Sequence, residues 1–567
     1  MKKVVKFKPI SIQKILFLLL VSSTLFAQKI TPILSKSTVR IYDFQEITLV
    51  LKKPNLKDNP FKDNSLKATF TTENGETTAV EGFCDHQDGS VYRVRFMPTK
   101  VGKYRYELAF EQNGKTQKAS GEFAAVTSAN KGPLRLDKAH PWHFVHDNGA
   151  HFFWNSTTAY WLLGWQDEAI INQSIDRLAR LGINRIRVAI NGRAHGGSRW
   201  SEPTVVESAK FTFKLNPWLA AKPDDLDDPQ FDVSRPNVPH WQKLDRLVAR
   251  CRDKGIVVSL IFYVDGLDHG CDPFKQANMG NADEQLYYAY AAARYAAYEN
   301  TMWDIANEYH LFRTTEWANK MGSFLKSKDP YKHLISVHGR ADFPFRKSPW
   351  VDVIMYQSWD ECGGYDFMTE AKRLQAETSR ILPTINEEYG YEGHYPPWGC
   401  GATAAKERPD GRSGLNRSQL AWEISMTGCY QTTGETAEYG TGAGEDTGGG
   451  WINGRGNDKM TMLSYYKILK ETFEQTEYWK LNPHNNLVNL GNLCLANLEQ
   501  EYLIYSRLPH CRVKLPKGQK YAVTMTNPQT GETKQLPDAD SDLDNGAWQY
   551  RQNLVGHWVF ILKRKQS

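Results

Sequence analysis

From residue 28 to about residue 128, apolar and polar positions alternate at period two. The runs Ile47-Thr-Leu-Val-Leu51, Val91-Tyr-Arg-Val-Arg-Phe96 and Tyr104-Arg-Tyr-Glu-Leu-Ala-Phe110 each place one side chain in two on an apolar face. Glu73-Asn-Gly75 and Gln112-Asn-Gly114 supply turns between runs. Short alternating strands at such spacing predict a small β-sandwich. After Gly132 the period changes. Ile171, Ile175 and Leu178 share a helical face, Gly182 follows, and Ile183-Asn-Arg-Ile-Arg-Val-Ala-Ile190 reads as a strand. Trp241, Leu244, Val248 and Cys251 repeat the pattern, followed by Gly255 and Ile256-Val-Val-Ser-Leu-Ile-Phe-Tyr263. A glycine just past the last helical residue supplies the left-handed cap.

Continuous apolar strands alternating with amphipathic helices predict a parallel sheet covered on both faces. Eight strands start near Phe152, Ile183, Ile256, Thr301, His333, Val351, Leu382 and Cys429, and Asn281-Ala-Asp-Glu284 reads as a helix start. Eight such units across about 340 residues fit a (β/α)8 barrel with long insertions. A doubly wound sheet is the alternative, and no glycine-rich phosphate loop supports it. From about Pro483 period two returns in Tyr502-Leu-Ile-Tyr505, Lys520-Tyr-Ala-Val-Thr-Met525 and His557-Trp-Val-Phe-Ile-Leu562. The fold class expected is therefore multidomain α/β and β, a central (β/α)8 TIM barrel between two small β-sandwich domains. The boundaries read 1–27 for a leader, 28–130, 131–482 for the barrel, and 483–567.

The leader changes the charge picture. Lys2, Lys3, Lys6, Lys8 and Lys14 precede the apolar run Ile15 to Val21 and small residues ending at Ala27, which reads as a signal peptide. Export to the periplasm or the exterior is expected, with no stable membrane insertion, because no later stretch is apolar enough to span. The formal charge of +6 falls to about +1 without those five lysines, which gives no basic footprint for nucleic acid. The chain holds 17 Trp and 27 Tyr, rings that suit sugar faces and ordinary cores alike. None of the eight cysteines forms a C-x-x-C pair, and Cys494 and Cys511 stand on neighbouring predicted strands where pairing is feasible. Cys251 falls on an apolar helix stripe and reads as a reduced core residue.

Candidate chemistry sits where barrels carry it, at the carboxyl ends of the strands. Strand four leads to Asn307-Glu308 and strand seven to Glu387-Glu388; strand two ends near Arg187, five at His338 and six at Tyr356. Two carboxylates at strand ends are what glycosidic hydrolysis requires, one to protonate the leaving oxygen and one to attack or stabilise the oxocarbenium carbon. Neighbours on a strand point to opposite faces, so alternation admits only one of Glu387 and Glu388 to the site. Trp451 is a candidate floor for a sugar ring, and His338 a candidate sugar contact or strand cap. Tyr263 and Asp265 are candidate pocket walls. The acids Asp538, Asp540, Asp542 and Asp544 miss the EF-hand register, so no metal is expected there.

The spacing resembles the clan A glycoside hydrolases, retaining (β/α)8 enzymes with Asn-Glu on strand four and a nucleophilic Glu on strand seven. Pro383-Thr-Ile-Asn-Glu-Glu-Tyr-Gly390 is similar to the strand-seven segment whose catalytic Glu precedes an aromatic-Gly pair, which selects Glu388. Gly182-Ile-Asn-Arg-Ile-Arg-Val188 is similar to the strand-two segment and gives Arg187 as the group holding the nucleophile ionised. More narrowly, Gly132-Pro-Leu-Arg-Leu136, His151-Phe-Phe-Trp154 and Tyr389-Gly-Tyr-Glu-Gly393 resemble the apiosidase-like glycoside hydrolases, which carry an N-terminal immunoglobulin-like domain and a C-terminal β-sandwich. Thr157 stands where the apiosidase-like pattern has an acid, so the resemblance carries the fold further than the sugar.

The resemblance implies double displacement: Glu308 as acid, Glu388 as nucleophile, Asn307 on the sugar 2-hydroxyl and Tyr356 donating to the nucleophile. Carboxylates about 5–5.5 Å apart would retain the anomeric configuration and about 6.5–9.5 Å would invert it. The expected function is an exported, cofactor-free glycoside hydrolase acting on plant or algal carbohydrate. The alternative is a non-catalytic carbohydrate-binding or surface-interaction protein on a barrel scaffold. A hydrolase of another bond type finds no Gly-x-Ser-x-Gly elbow and no metal-spaced histidine pair.

Overall fold

The computed structural model describes residues 30–192, 210–225, 228–264, 273–274, 278–339, 342–359, 364–392, 412–435, 454–456, 460–542, 546–551 and 556–565. The segment 1–27, expected to be a signal peptide, therefore lies outside the described residues, as do Asp265, Trp451 and Asp544. Eight parallel strands form the central sheet: β1 (Ser156–Thr158), β2 (Arg185–Ala189), β3 (Val257–Ile261), β4 (Thr301–Asp304), β5 (Ile335–Ser336), β6 (Ile354–Gln357), β7 (Thr384–Glu388) and β8 (Tyr430–Gly434). Their order runs β5-β4-β3-β2-β1-β8-β7-β6. A parallel bridge between His338 and Met355 joins the two free edges, so the sheet closes as a barrel. The doubly wound alternative is thereby excluded.

Local chemistry explains why the elements start and stop where they do. β2, β3, β4 and β7 are buried at every residue, as strands covered on both faces must be. Helix α1 (Glu168–Arg180) is capped by the Asp167 carboxylate, which accepts from the Ala169 amide. Gly182 just beyond it has φ +72°, the left-handed value that releases the chain into β2. Helix α2 (Val238–Asp253) precedes β3, and α3 (Ala282–Tyr295) is capped by Asn281, whose oxygen accepts from the Glu284 amide at 2.9 Å. Helices α4 (Thr315–Lys328), α5 (Gly364–Ala376), α6 (Gly414–Ser425) and α7 (Met462–Phe473) complete the outer layer. Among the described residues no helix links β5 to β6.

One strand sits four residues later than the apolar pattern suggests. His151–Phe152 does not begin β1; it pairs antiparallel with Phe144–His146, which in turn pairs with Leu134–Leu136. This small sheet packs on the amino-terminal end of the barrel, with Phe144 5.1 Å from Trp154 and 5.6 Å from Tyr430, the first residue of β8.

Ahead of the barrel, a four-stranded and a five-stranded sheet face one another, and Phe70 of one stacks on Phe96 of the other at 4.0 Å. After it, a six-stranded antiparallel sheet and a two-stranded ribbon enclose Cys494, Ile504, Cys511, Val523 and Phe560. Tyr505 of this sheet stacks on Trp422 of α6 at 5.5 Å, which docks it to the barrel. Cys494 and Cys511 are both free thiols, so the feasible pairing is not made; the two lie on strands of different sheets. Cys251 is likewise free, on the buried face of α2.

Candidate active site

The carboxyl ends of β1, β2, β4 and β7 meet in a connected polar cluster. β2 carries arginines at positions i and i+2, so both side chains enter the barrel. Arg187, fully buried, donates from Nη1 to the Tyr160 hydroxyl at 2.6 Å and from Nη2 to Asn307 Oδ1 at 2.7 Å. Its Nη1 also lies 3.8 Å from Glu388 Oε2, and its Nε 3.1 Å from Glu387 Oε1. One layer deeper, Arg185 donates to Glu387, to Ser259 Oγ at 2.8 Å and to Ser156 Oγ at 3.1 Å. Asp304, the last residue of β4, lies 3.7 Å from Arg187 Nη2.

Backbone geometry presents the first carboxylate. Beyond β4 the chain stays tied to its neighbours, Ile305 N donating to Ser336 O and Asn307 N to Tyr263 O. At Glu308 it turns into the left-handed region, φ +43° and ψ +44°, and enters the 3-10 turn Tyr309–Leu311. A glutamate held there is strained, and such strain concentrates where side-chain placement matters. Asn307 Oδ1 is saturated by two donors, Arg187 and the Tyr160 hydroxyl at 2.8 Å. That fixes the amide orientation and turns Nδ2 toward Glu308 Oε2, at 3.4 Å.

A bulge presents the second. Along the β6–β7 pairing, Tyr356 stands opposite Asn386 but Gln357 opposite Glu388, so Glu387 is an extra residue in β7. Strict alternation is broken there, and both Glu387 and Glu388 reach Arg187. The expectation that only one of the pair faces the site is thus corrected. Glu387 serves the buried arginines, while Glu388, 4% exposed, opens toward Tyr160, whose hydroxyl oxygen is 3.4 Å from Oε2. The Tyr391 hydroxyl is close enough to favour the ionised form of Glu388. Burial pushes the Glu388 carboxyl above the ordinary glutamate value; Arg187, Tyr391 and Tyr160 pull against that rise, and neighbouring Glu387 adds to it.

Of the residues expected from the sequence, Glu308, Glu388, Asn307 and Arg187 are brought together. His338 joins them, buried, with Nε2 4.0 Å from Glu388 Oε2; burial and then Arg187 hold its imidazole well below the usual pKa. Tyr356 does not join them. Its hydroxyl accepts from Arg346 Nε at 2.8 Å and its ring packs on Phe343 and Phe367 in the layer outside the sheet. The hydroxyls beside Glu388 come from Tyr160 and Tyr391 instead. Tyr263 is engaged elsewhere, donating to the buried Glu284 carboxylate at 2.8 Å.

Tyr160, Tyr391, Arg185 and Asp304 were not singled out from the sequence. The i, i+2 arginines of Arg185-Ile-Arg187 carried the signal for one of them. Tyr160 was hidden because β1 begins later than its apolar run suggests. No group of three or more His, Cys, Asp or Glu among the described residues has metal-binding geometry. Asp538 and Asp540 pair instead with Lys565 and Lys520.

Comparison with known proteins places this geometry. Residues 139–421 match the family model described as apiosidase-like, catalytic domain, and residues 38–111 match a domain of unknown function, DUF5060. No curated protein matches the chain. Among solved structures, a candidate glycoside hydrolase from Bacteroides vulgatus is similar at a TM-score of 0.74 and 20% identity, over 94% of this chain and 100% of that one. A glycoside hydrolase family 5 protein from the same organism is similar at 0.57 and 14% identity, over 76% and 93%. At these identities the solved structures speak to the fold alone, a glycoside-hydrolase-type barrel. The family model speaks to descent as well, and on it the barrel of this chain belongs to the apiosidase-like family.

Proposed function

We propose that this chain is an exported glycoside hydrolase that cleaves glycosidic bonds in plant or algal polysaccharide by a retaining double displacement. One observation carries the reading: two glutamates, eighty residues apart in sequence, converge on a single hydrogen-bonded unit. Glu308 reaches it through Asn307 Nδ2, and Glu388 through Tyr160 and Arg187. In this reading Glu308, half-buried at the cluster's edge, donates a proton to the leaving oxygen. Glu388 attacks the anomeric carbon, and water guided by Glu308 then releases the sugar. Arg187 and the hydroxyls of Tyr160 and Tyr391 favour the ionised nucleophile against the cost of its burial. Asn307, its orientation fixed from behind, offers Nδ2 to the sugar 2-hydroxyl. The leader residues 1–27 support export.

Purified protein is assayed against a panel of plant and algal polysaccharides and oligosaccharides, with the anomeric configuration of the first product followed by NMR. The expected result is cleavage with retention, and a loss of about 10³-fold or more in kcat/KM for Glu388→Gln with glycan binding kept. An inverted product would remove the nucleophile role from Glu388. Binding without cleavage of any glycan by the wild type would make the barrel a binding scaffold.

A further inference from the structure

A second group of aromatic side chains lies away from the carboxylates, on the amino-terminal side of the barrel, where the loop 137–143 meets the C-terminal sheet. A groove of about 390 Å³ is lined there by His140, Trp142, Trp479, Lys480, Asn482 and Asn497 among others. Both tryptophans are part-exposed. Each has one ring face covered by a residue that does not line the groove. The His151 imidazole stacks on Trp479 at 3.6 Å with the planes 10° apart, and Lys372 Nζ stands 4.9 Å from the Trp142 ring centre. Covering one face of an indole from behind fixes the ring and leaves the other face for a ligand.

The frame around these rings is rigid. Asp137 Oδ1 accepts from the Ala139 and His140 amides at 2.8 and 3.1 Å, and its own amide donates to His143 O at 3.0 Å. His143 Nδ1 meets the Tyr430 hydroxyl of β8 at 2.7 Å, which pins the loop to the barrel. Trp479 sits in the 3-10 turn Tyr478–Lys480, whose Tyr478 packs edge-on to His143 and Phe153. Little ordering is then left for a ligand to impose.

We infer that this groove is a second carbohydrate site, which holds a hydroxyl-bearing pyranose segment of the polymer on the faces of Trp142 and Trp479. The inference rests on the proposed action on glycans. Pyranose rings carry C–H groups on their faces and hydroxyls on their edges. Indole faces flanked by the amides of Asn482 and Asn497 and by His140 match both, as an apolar ligand or a bare anion would not. Polymer held here while another segment occupies the carboxylate site gains effective concentration, whereas an oligosaccharide too short to reach both gains nothing.

The test uses the full-length chain. Glu388→Gln protein is run through native gels containing pectic, xylan or alginate polysaccharide, beside Glu388→Gln carrying Trp142→Ala and Trp479→Ala. The expected result is retardation by at least one polymer that weakens about tenfold in the triple variant and returns in part with Trp142→Phe and Trp479→Phe. In otherwise wild-type protein the tryptophan variants keep kcat/KM on short oligosaccharides and lose it on polymer. Should the alanine variants fail to fold, Asn482→Ala with Asn497→Ala at the rim is expected to weaken retardation about threefold. Equal retardation in all variants, or none with any polymer, overturns the inference. The two proposals fail separately: cleavage of oligosaccharides with unchanged polymer retention removes only this site. Retention that depends on the tryptophans without any cleavage removes only the catalytic reading.

Discussion

Among the described residues, a cluster of buried arginine and carboxylate at the seam of the N-terminal sheets and one inside the barrel are built differently. Between the N-terminal sheets and the barrel helices, Asp245 of α2 accepts four hydrogen bonds, from Arg95 at 3.2 and 2.8 Å and from Arg294 at 2.8 and 2.7 Å. Asp85 closes the set, 2.8 Å from Arg294 and 2.6 Å from Arg93. Burial would raise the Asp245 carboxyl, but Arg95 and Arg294 overturn that and hold it down at about 2. Inside the barrel, Arg187 faces Asp304, Glu387 and Glu388 at 3.7, 3.1 and 3.8 Å. Neither oxygen of Asp304 has a well-directed hydrogen bond among the described residues, beyond a glancing contact with the Ala306 amide. Burial pushes this carboxyl up to about 7, with Arg187 opposing the rise and Glu387 adding to it.

The first cluster spends its charges on one another; in the second Arg187 is divided among three acids, Arg185 serves only Glu387, and Asp304 is left without a well-directed partner. Structural networks are saturated, whereas perturbed and under-bonded groups gather where a ligand or a proton is awaited. This difference supports the barrel interior, not the interdomain seam, as the chemical centre.

The strongest way to break the comparison is to remove one charged partner from each side. Arg187→Met takes away the cation that orients Asn307 and faces Glu388. It should lower kcat/KM by about 10²–10³-fold, read by steady-state assay on any cleaved glycan. If activity survives within tenfold, the divided arginine is only structural. Asp245→Asn is the mirror experiment. It leaves two buried guanidinium groups short of a partner and should cost about 3–5 kcal/mol of stability, seen as a lowered Tm. Its kcat/KM at a temperature where the variant stays folded should equal that of the wild type.

A pH comparison sharpens the contrast. Asp304 keeps its proton in the folded chain up to about pH 7, while an unfolded aspartate loses it near its ordinary value of 3.8. The stability from this raised carboxyl is therefore complete below pH 3.8 and is lost as pH rises through 7. Asparagine imitates the neutral acid and removes that loss. Between about pH 5 and pH 8, Asp304→Asn should gain on the wild type by a few kcal/mol, on the order of 1.4 kcal/mol for each pH unit separating the folded and unfolded titrations. Asp245→Asn should show no comparable dependence in that window, because Asp245 titrates far below it. Equal pH profiles for the two variants would erase the distinction.

The same contrast shows what could be read in the chain before any coordinates. The barrel was legible because its strands are buried on both faces and its helices end at glycines, Gly182 and Gly255, whose left-handed φ the pattern anticipates. Glu308, Glu388, Asn307 and Arg187 were legible because barrel chemistry sits at strand ends. What was hidden depends on one-residue shifts. The bulge at Glu387 admits two consecutive acids where alternation allows one, and no local composition announces it. The apolar run before β1 belongs to a different sheet, which moved Tyr160 out of view. Tyr356 failed for the converse reason: β6 itself was found, but its Tyr356 side chain points to the outer face, where it meets Arg346, Phe343 and Phe367.

That failure yields the smallest expected effect and the finest discrimination. Tyr356 bonds Arg346 and packs between Phe343 and Phe367, so its hydroxyl has no route to Glu388. Tyr356→Phe keeps the ring packing and frees only the Arg346 contact, so kcat/KM should stay within about twofold of wild type, with a stability change of about 1 kcal/mol or less. Tyr160→Phe removes an oxygen that accepts from Arg187, donates to Asn307 and faces Glu388, so the same single-atom deletion there should cost activity visibly more. Measured side by side on one substrate, the pair isolates the hydroxyl's position from its chemistry. A larger loss at Tyr356 than at Tyr160 would place the nucleophile's donor on β6 and overturn the assignment made from these distances.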